Sequence, residues 1–223
     1  MTDAATERRT ENGAQTLERI LDAAENRFAD EGFRGTSLRD IARDVGIRAP
    51  SLYNHFAGKD ALYAAVLQRA FGPMLEILDQ FRGRGPEAYE TPRMAEDMMY
   101  VLAERPNRAR LLMHESLAGG RHMNAILSQW IETLFGSGLR AMRKDPKATA
   151  WTRDELPLLL LAMNNVIAGY VAVAPAFDGT LVRDPLSPAA VRRQARFVAK
   201  LWARAWDQPT GRRDPNGRGR GKT

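Results

Sequence analysis

Residues 33–62 read FRGTSLRDIARDVGIRAPSLYNHFAGKDAL, and the fold turns on how many helices this stretch holds. Ser37, followed three residues later by Asp40, resembles a capping box with Asp in the Glu position. Leu38, Ile41, Ala42 and Val45 then recur at three- and four-residue spacing, which predicts a short amphipathic helix stopped by Gly46. Beyond Arg48, Pro50 fits the first turn of another helix, where its missing N–H costs nothing. That helix should end near Phe56, because Ala57-Gly58 breaks it and Lys59-Asp60 opens a longer one carrying Leu62, Tyr63, Val66, Leu67 and Ala70. Two helices joined through a glycine turn make a helix-turn-helix.

Outward from this stretch the helical spacing continues in both directions. Before it, Leu17, Ile20, Leu21, Ala24 and Phe28 form one helix face that starts near Thr16 and ends near Glu31-Gly32. Residues 1–13 are polar and are expected to be a disordered N-terminal segment. After it, RGRGPEAYETP over 82–92 reads as a linker. Met94, Met98, Val101 and Leu102 then form one face; Ala109, Leu112, Met113 and Leu117 another; Met123, Ile126, Leu127, Trp130, Ile131 and Leu134 a third. Thr152 and Glu155 suggest a capping box before an uncharged helix over 156–174, and Ser187-Pro188 starts the last helix, whose face is Val191, Ala195, Val198, Leu201 and Trp202. No alternating strand pattern appears, so the fold class is all-α. A three-helix helix-turn-helix unit over 14–60 is followed by a larger helical domain over 61–207 and a disordered basic tail over 208–223.

Composition narrows the function classes. With 223 residues and 44% hydrophobic content the chain can bury a real core. It has no cysteine, hence no disulfide framework or thiolate metal site, and its three histidines at 55, 114 and 122 leave little for a metal centre. No cofactor is expected. The net charge of +6 is uneven: residues 1–60 hold nine Lys/Arg against eleven Asp/Glu, whereas 192–223 hold ten against two. The basic balance therefore says nothing about the N-terminal segment, and any nucleic-acid contact there must rest on where individual side chains stand. The run LPLLLLAMNNVIAGYVAVAPAF over 156–177 lacks charge and is long enough to span a bilayer. Asn164 and Asn165 would lie at the membrane centre, so a helix buried on all sides, in a bundle or a dimer interface, is favoured. MTDAATERRT has no apolar signal core, and the expected location is cytoplasmic.

The wording of 33–62 resembles the TetR/AcrR family of transcriptional regulators. The matching residues are Gly35-Thr36-Ser37, Asp40-Ile41-Ala42, Val45-Gly46-Ile47, Leu52-Tyr53, His55-Phe56, and Lys59-Asp60 with Leu62. They cover about a fifth of the chain; the later helices agree with the family only in number and length. The resemblance implies a DNA-binding head, a ligand-binding body and a homodimer that binds a palindromic operator on double-stranded DNA, most often as a repressor. In such a head the second helix enters the major groove while the first crosses the backbone. By similarity Thr36, Ser37, Tyr53 and Lys59 approach phosphates, Arg48, Ala49, Ser51 and Asn54 are the candidates to read bases, and His55 lies packed or facing a phosphate. This chain departs from the family's common wording in having Arg48 in place of Ser or Thr, and Pro50 where Gly is frequent.

For the body, Met98, Leu102, Met113, Leu117, Trp130, Leu134, Met163 and Asn164 are the candidates to line a pocket for an apolar or aromatic effector. Ile167, Tyr170, Val171, Val191, Val198, Leu201 and Trp202 are the candidates for the dimer interface, on the last two helices. Two other function classes stay open: an all-helical enzyme using His114 and Glu115 or His122, and a DNA-binding protein that answers to no ligand. No nucleophile motif or glycine-rich cofactor turn supports the enzyme.

Overall fold

A computed structural model describes residues 3–81, 92–122, 154–180 and 183–206, and every structural statement below concerns those residues. They form eight α-helices and no β-strand. In chain order these are α1 (Asp3–Gly35), α2 (Leu38–Val45), α3 (Ala49–Tyr53), α4 (Lys59–Phe81), α5 (Pro92–Glu104), α6 (Pro106–Leu117), α7 (Glu155–Val173) and α8 (Pro188–Trp206). The expected helix over 123–134, the start of the linker, Thr152 and the tail lie outside the described residues. The N-cap of α7 is Asp154, with no side-chain hydrogen bond. Ser187 Oγ accepts the Ala190 N–H at 3.4 Å, as a cap of α8 should.

Helix α1 begins at Asp3, well before Thr16, so the expectation of a disordered 1–13 is corrected from residue 3 onward. Ala4, Ala5, Glu7, Arg8, Arg9 and Glu11 are good helix formers, and a helix already nucleated by its packed turns extends through them without burying anything. Near its other end the helix kinks at Gly32 (φ 69°, ψ 175°), a conformation closed to residues with a Cβ, and then runs one more turn to Gly35.

The core is continuous from the helix-turn-helix into the body. Ile20, Ala24 and Phe28 of α1, Ile41 of α2, Leu52 of α3, and Leu62, Tyr63, Val66 and Leu67 of α4 are buried, with the Phe28 and Tyr63 rings edge to face at 4.6 Å. Helix α1 packs on α2, α4 and α6; α5 packs on α4, α7 and α8; α6 packs on α7. Because α6 lies between α1 and α7 it buries two sides, which is why Leu111 is as buried as Ala109 although the single-face reading omits it. Leu117 was expected on the core face but is 87% exposed. It is the last residue of α6, where the chain turns away through Gly119 (φ 80°) and Gly120 (φ 70°).

Two further expectations are corrected. Helix α7 is not buried on all sides: Met163, Ile167, Ala168 and Val171 face the core, while Leu158, Leu161 and Val173 are exposed. Of the residues assigned to a dimer interface, Ile167, Val171, Val191, Val198 and Trp202 are buried inside the protomer. Their apolar stripe is covered by neighbouring helices of the same chain, chiefly α5 against α8, so it is not a surface at all. Leu201 is half-buried, and Tyr170 donates its hydroxyl to Pro185 O at 2.9 Å. The apolar side chain that α8 leaves exposed is Phe197.

Candidate nucleic-acid interface

The turn before α2 is organised by Thr36 and Ser37, in opposite ways. Thr36 is 2% exposed and donates its hydroxyl to Gly32 O at 2.9 Å. That hydroxyl closes the kink of α1, and the expectation that it meets a phosphate is corrected. Ser37 is exposed and caps α2: its Oγ accepts the Asp40 N–H at 3.2 Å and donates to Asp40 Oδ2 at 2.5 Å. The Ser37 hydroxyl holds the Asp40 carboxyl below the usual carboxylate range, and Arg43, 2.6 Å from Asp40 Oδ1, acts in the same direction.

Helix α2 is fixed to α1 by side chains that no spacing rule would connect. Arg27 grips Asp44 with two parallel bonds, Nε to Oδ2 at 2.6 Å and Nη2 to Oδ1 at 3.0 Å, which lowers the Asp44 pKa. Arg19 donates to the Val45 carbonyl. Gly46 (φ 74°) then makes the turn, its N–H reaching Arg43 O at 3.1 Å, and Ile47 N–H reaches Ala42 O at 3.0 Å.

Helix α3 is shorter than expected, ending at Tyr53 with Asn54 as its C-cap, since Asn54 and His55 form a turn in place of a last helical turn. Leu52 is fully buried and anchors the helix. Around that anchor Arg48, Tyr53, Asn54 and His55 are exposed, while Ala49 and Ser51 are half-buried. Arg48 occupies the N-cap position without capping the helix, so its guanidinium is free to extend. Lys59 opens α4 with its Nζ 4.4 Å above the Phe33 ring, a cation–π contact. The exposed members of the set thus come from one connected stretch, 37–59, with hydrogen-bonding side chains outward and apolar ones inward.

The helix-turn-helix is joined to the body by polar contacts along α1. Asn26 accepts from Asn107 at 2.8 Å, Asp30 pairs with Arg110 at 2.7 Å, and His114 Nε2 lies 3.1 Å from Ala29 O. Arg69 of α4 reaches the buried Glu25 at 2.8 Å and Asp22 at 3.0 Å. Near the first turns of α4, Tyr63 donates to Glu115 Oε1 at 2.8 Å, and the His122 N–H donates to Oε2 at 3.3 Å. Burial, and secondarily the Glu115 carboxylate, push the Tyr63 phenol well above its ordinary value. His122 Nε2 is 3.3 Å from Asp60 Oδ1. Sequence reasoning singled out His114, Glu115 and His122 as a possible acid-base set; in the structure the Glu115 carboxylate is held by Tyr63 and by the His122 backbone.

The candidates for an effector pocket are dispersed. Leu102 and Met163 belong to the core, Met98, Met113 and Asn164 are half-buried, and Trp130 and Leu134 lie outside the described residues. Asn165 donates to Leu161 O of its own helix at 3.0 Å. No helix among the described residues is long and apolar enough to cross a membrane, and no group of three or more His, Asp or Glu there could hold a metal ion.

A short helix anchored by one buried leucine, set after a capped helix and a glycine turn, defines a helix-turn-helix DNA-binding regulator. Comparison with known proteins gives the family. Residues 20–66 match the family of bacterial regulatory proteins of the tetR type. The HTH-type transcriptional regulator RutR of Escherichia coli K12 is 32% identical over 168 residues, covering 74% of this chain and 79% of RutR. The HTH-type transcriptional repressor KstR2 of Mycolicibacterium smegmatis is 39% identical over 70 residues, 30% of this chain and 34% of KstR2. A TetR-like transcriptional regulator from Rhodococcus sp. RHA1 shares the fold with a TM-score of 0.62 at 21% identity, over 85% of this chain and 94% of the other. The chain belongs to the TetR/AcrR family of transcriptional regulators.

Proposed function

We propose that this regulator is a homodimeric repressor that binds a palindromic operator through residues 14–60 and is released by a small molecule bound to residues 61–207. The observation that carries the reading is the outward face of α3. Arg48, Tyr53, Asn54 and His55 are exposed around the buried Leu52, a set of donors and acceptors with no structural work inside the protein. Arg48 reads guanine by a two-pronged hydrogen bond and Asn54 reads adenine; Tyr53, Ser37 and Lys59 bind the backbone. The match to a repressor over the N-terminal 70 residues supports the direction of regulation.

A two-fold dimer sets the two reading helices about 34–36 Å apart, one turn of DNA. With the buried stripes of α7 and α8 committed to the protomer, the dimer surface is formed by their exposed side: Leu158, Leu161, Val173 and Phe197. An effector that favours another head separation by about 1–3 kcal/mol loosens the complex roughly five- to 150-fold. The chain acts in the cytoplasm and performs no catalysis. Selection from a random duplex library at about physiological salt, where non-specific phosphate binding is weak, tests this. An inverted repeat with half-sites about one turn apart is the expected product; an enriched pool without a consensus would remove the sequence-reading role from α3.

A further inference from the structure

The end of α1, the first turns of α4 and the end of α6 enclose a cleft of about 680 Å³ that the DNA-binding reading does not use. Its volume lies in the range of small-molecule sites, about 300–1,000 Å³. One side is aromatic: the Phe33 ring lies 5.0 Å from Tyr63 and 4.2 Å from His122, and Tyr63 and His122 are 5.1 Å apart, edge to face. Of the candidate effector residues only Leu117 borders it.

The charges around the cleft decide what fits. Each of its carboxylates is already engaged. Glu31 pairs with Arg27 at 2.5 Å, Asp60 lies 3.3 Å from His122 Nε2, and Glu115, 1% exposed, accepts from Tyr63 and the His122 N–H. Arg34 and Arg121 border the same cleft, are exposed, and have no ion-pair partner among the described residues. A single exposed guanidinium is ordinary. Two of them beside stacked rings, with every neighbouring carboxylate engaged, leave a positive balance over a flat apolar surface. Guanidinium groups match a carboxylate by paired hydrogen bonds, and aromatic faces match a ring.

We propose that this cleft binds a small aromatic carboxylate, its ring against Phe33, Tyr63 and His122 and its carboxylate held by Arg34 and Arg121. Its walls come from the helices that frame the head and from α6 of the body, so an occupant bears on both at once. This names a site and a chemical class for the effector, and it rests on the regulator reading only for its consequence on DNA.

The test is made without DNA, so that its failure is distinct from failure of the operator reading. The chain has three histidines, of which His114 and His122 line the cleft and His55 does not. The full-length protein carrying isotope-labelled histidine is titrated with benzoate, and the ring resonances are followed by NMR. Saturable shifts of His114 and His122, with His55 unmoved, are expected. Benzamide, the same ring without the charge, should bind at least tenfold more weakly. The double variant R34A/R121A should weaken benzoate at least tenfold at an unchanged melting temperature, because both arginines are exposed. Shifts that persist in the double variant, equal binding of benzamide, or no saturable shift of either cleft histidine would overturn the proposal.

Discussion

Replacing Tyr63 with Phe isolates the bond that joins α4 to α6. The hydroxyl donates to Glu115 Oε1 at 2.8 Å in a fully buried site, so the carboxylate loses a donor that water does not readily replace. The ring stays in place against Phe28 (4.6 Å) and Phe33 (5.0 Å), so the substitution opens no cavity and the hydrogen bond is the main loss. A hydrogen bond to a charged group contributes about 1.5–3 kcal/mol. For a chain of this size each kcal/mol corresponds to roughly 2–4 °C in Tm, so Y63F should melt about 3–12 °C lower. Alkaline pH gives the same bond a second signature. The phenol pKa is raised in the native state, so its contribution is fully present below about pH 10, the ordinary tyrosine value, and is lost as pH rises through the raised native value. Thermal melts of wild type, Y63F, Glu115→Gln and the double variant form a cycle that extracts the coupling. A single-variant loss below about 0.5 kcal/mol, or a double variant equal to the sum of the singles, would refute the reasoning.

Three more substitutions address the head. Ser37→Ala removes the α2 cap and should cost about 0.5–2 kcal/mol by denaturant titration. The same change frees Asp40 to titrate nearer the usual carboxylate value, so the stability its lowered pKa supplies above about pH 3.9, lost as pH falls through the lower native value, should shrink. Gly32→Ala places a Cβ at φ 69°, ψ 175°, and should cost about 1–3 kcal/mol from backbone strain; its contact with His114 Nδ1 at 3.4 Å is ordinary, so shortening His114 should not rescue it. Arg48→Ala should change which operator sequence is preferred, whereas Tyr53→Phe and Lys59→Ala should weaken all sequences alike; competition binding against a panel of single-base operators reads the difference.

Local signals in the sequence reached as far as local physics does. Ser37, Gly46 and Pro50 marked the helix-turn-helix because caps and turns are decided within a few residues, and the period of Leu17, Ile20, Ala24 and Phe28 marked the buried face of α1. Periodicity identifies an apolar stripe but not what covers it. Val191, Val198 and Trp202 therefore read equally well as a dimer surface or as the protomer's own core, and the packing of α8 on α5 decided for the core. The Arg27–Asp44 grip, 17 residues apart, and Tyr63–Glu115, 52 apart, leave no trace in any local pattern. Thr36 shows the limit from another side: its hydroxyl faces inward only because Gly32 kinks the preceding helix and offers it a carbonyl.

The contacts of α1 with α6 and α4 have a consequence for any experiment that varies salt. Asp30–Arg110 and the Asp22–Arg69 and Asp22–Arg105 pairs are partly exposed, and charges in water weaken their hold on one another as the screening length falls from about 10 Å at 0.1 M to 3 Å at 1 M. Added salt thus loosens the mounting of the head on the body while it competes for phosphates. A plot of log affinity against log salt for this protein should curve, because the counter-ions taken up at the DNA are joined by ions that unfasten the protein from itself.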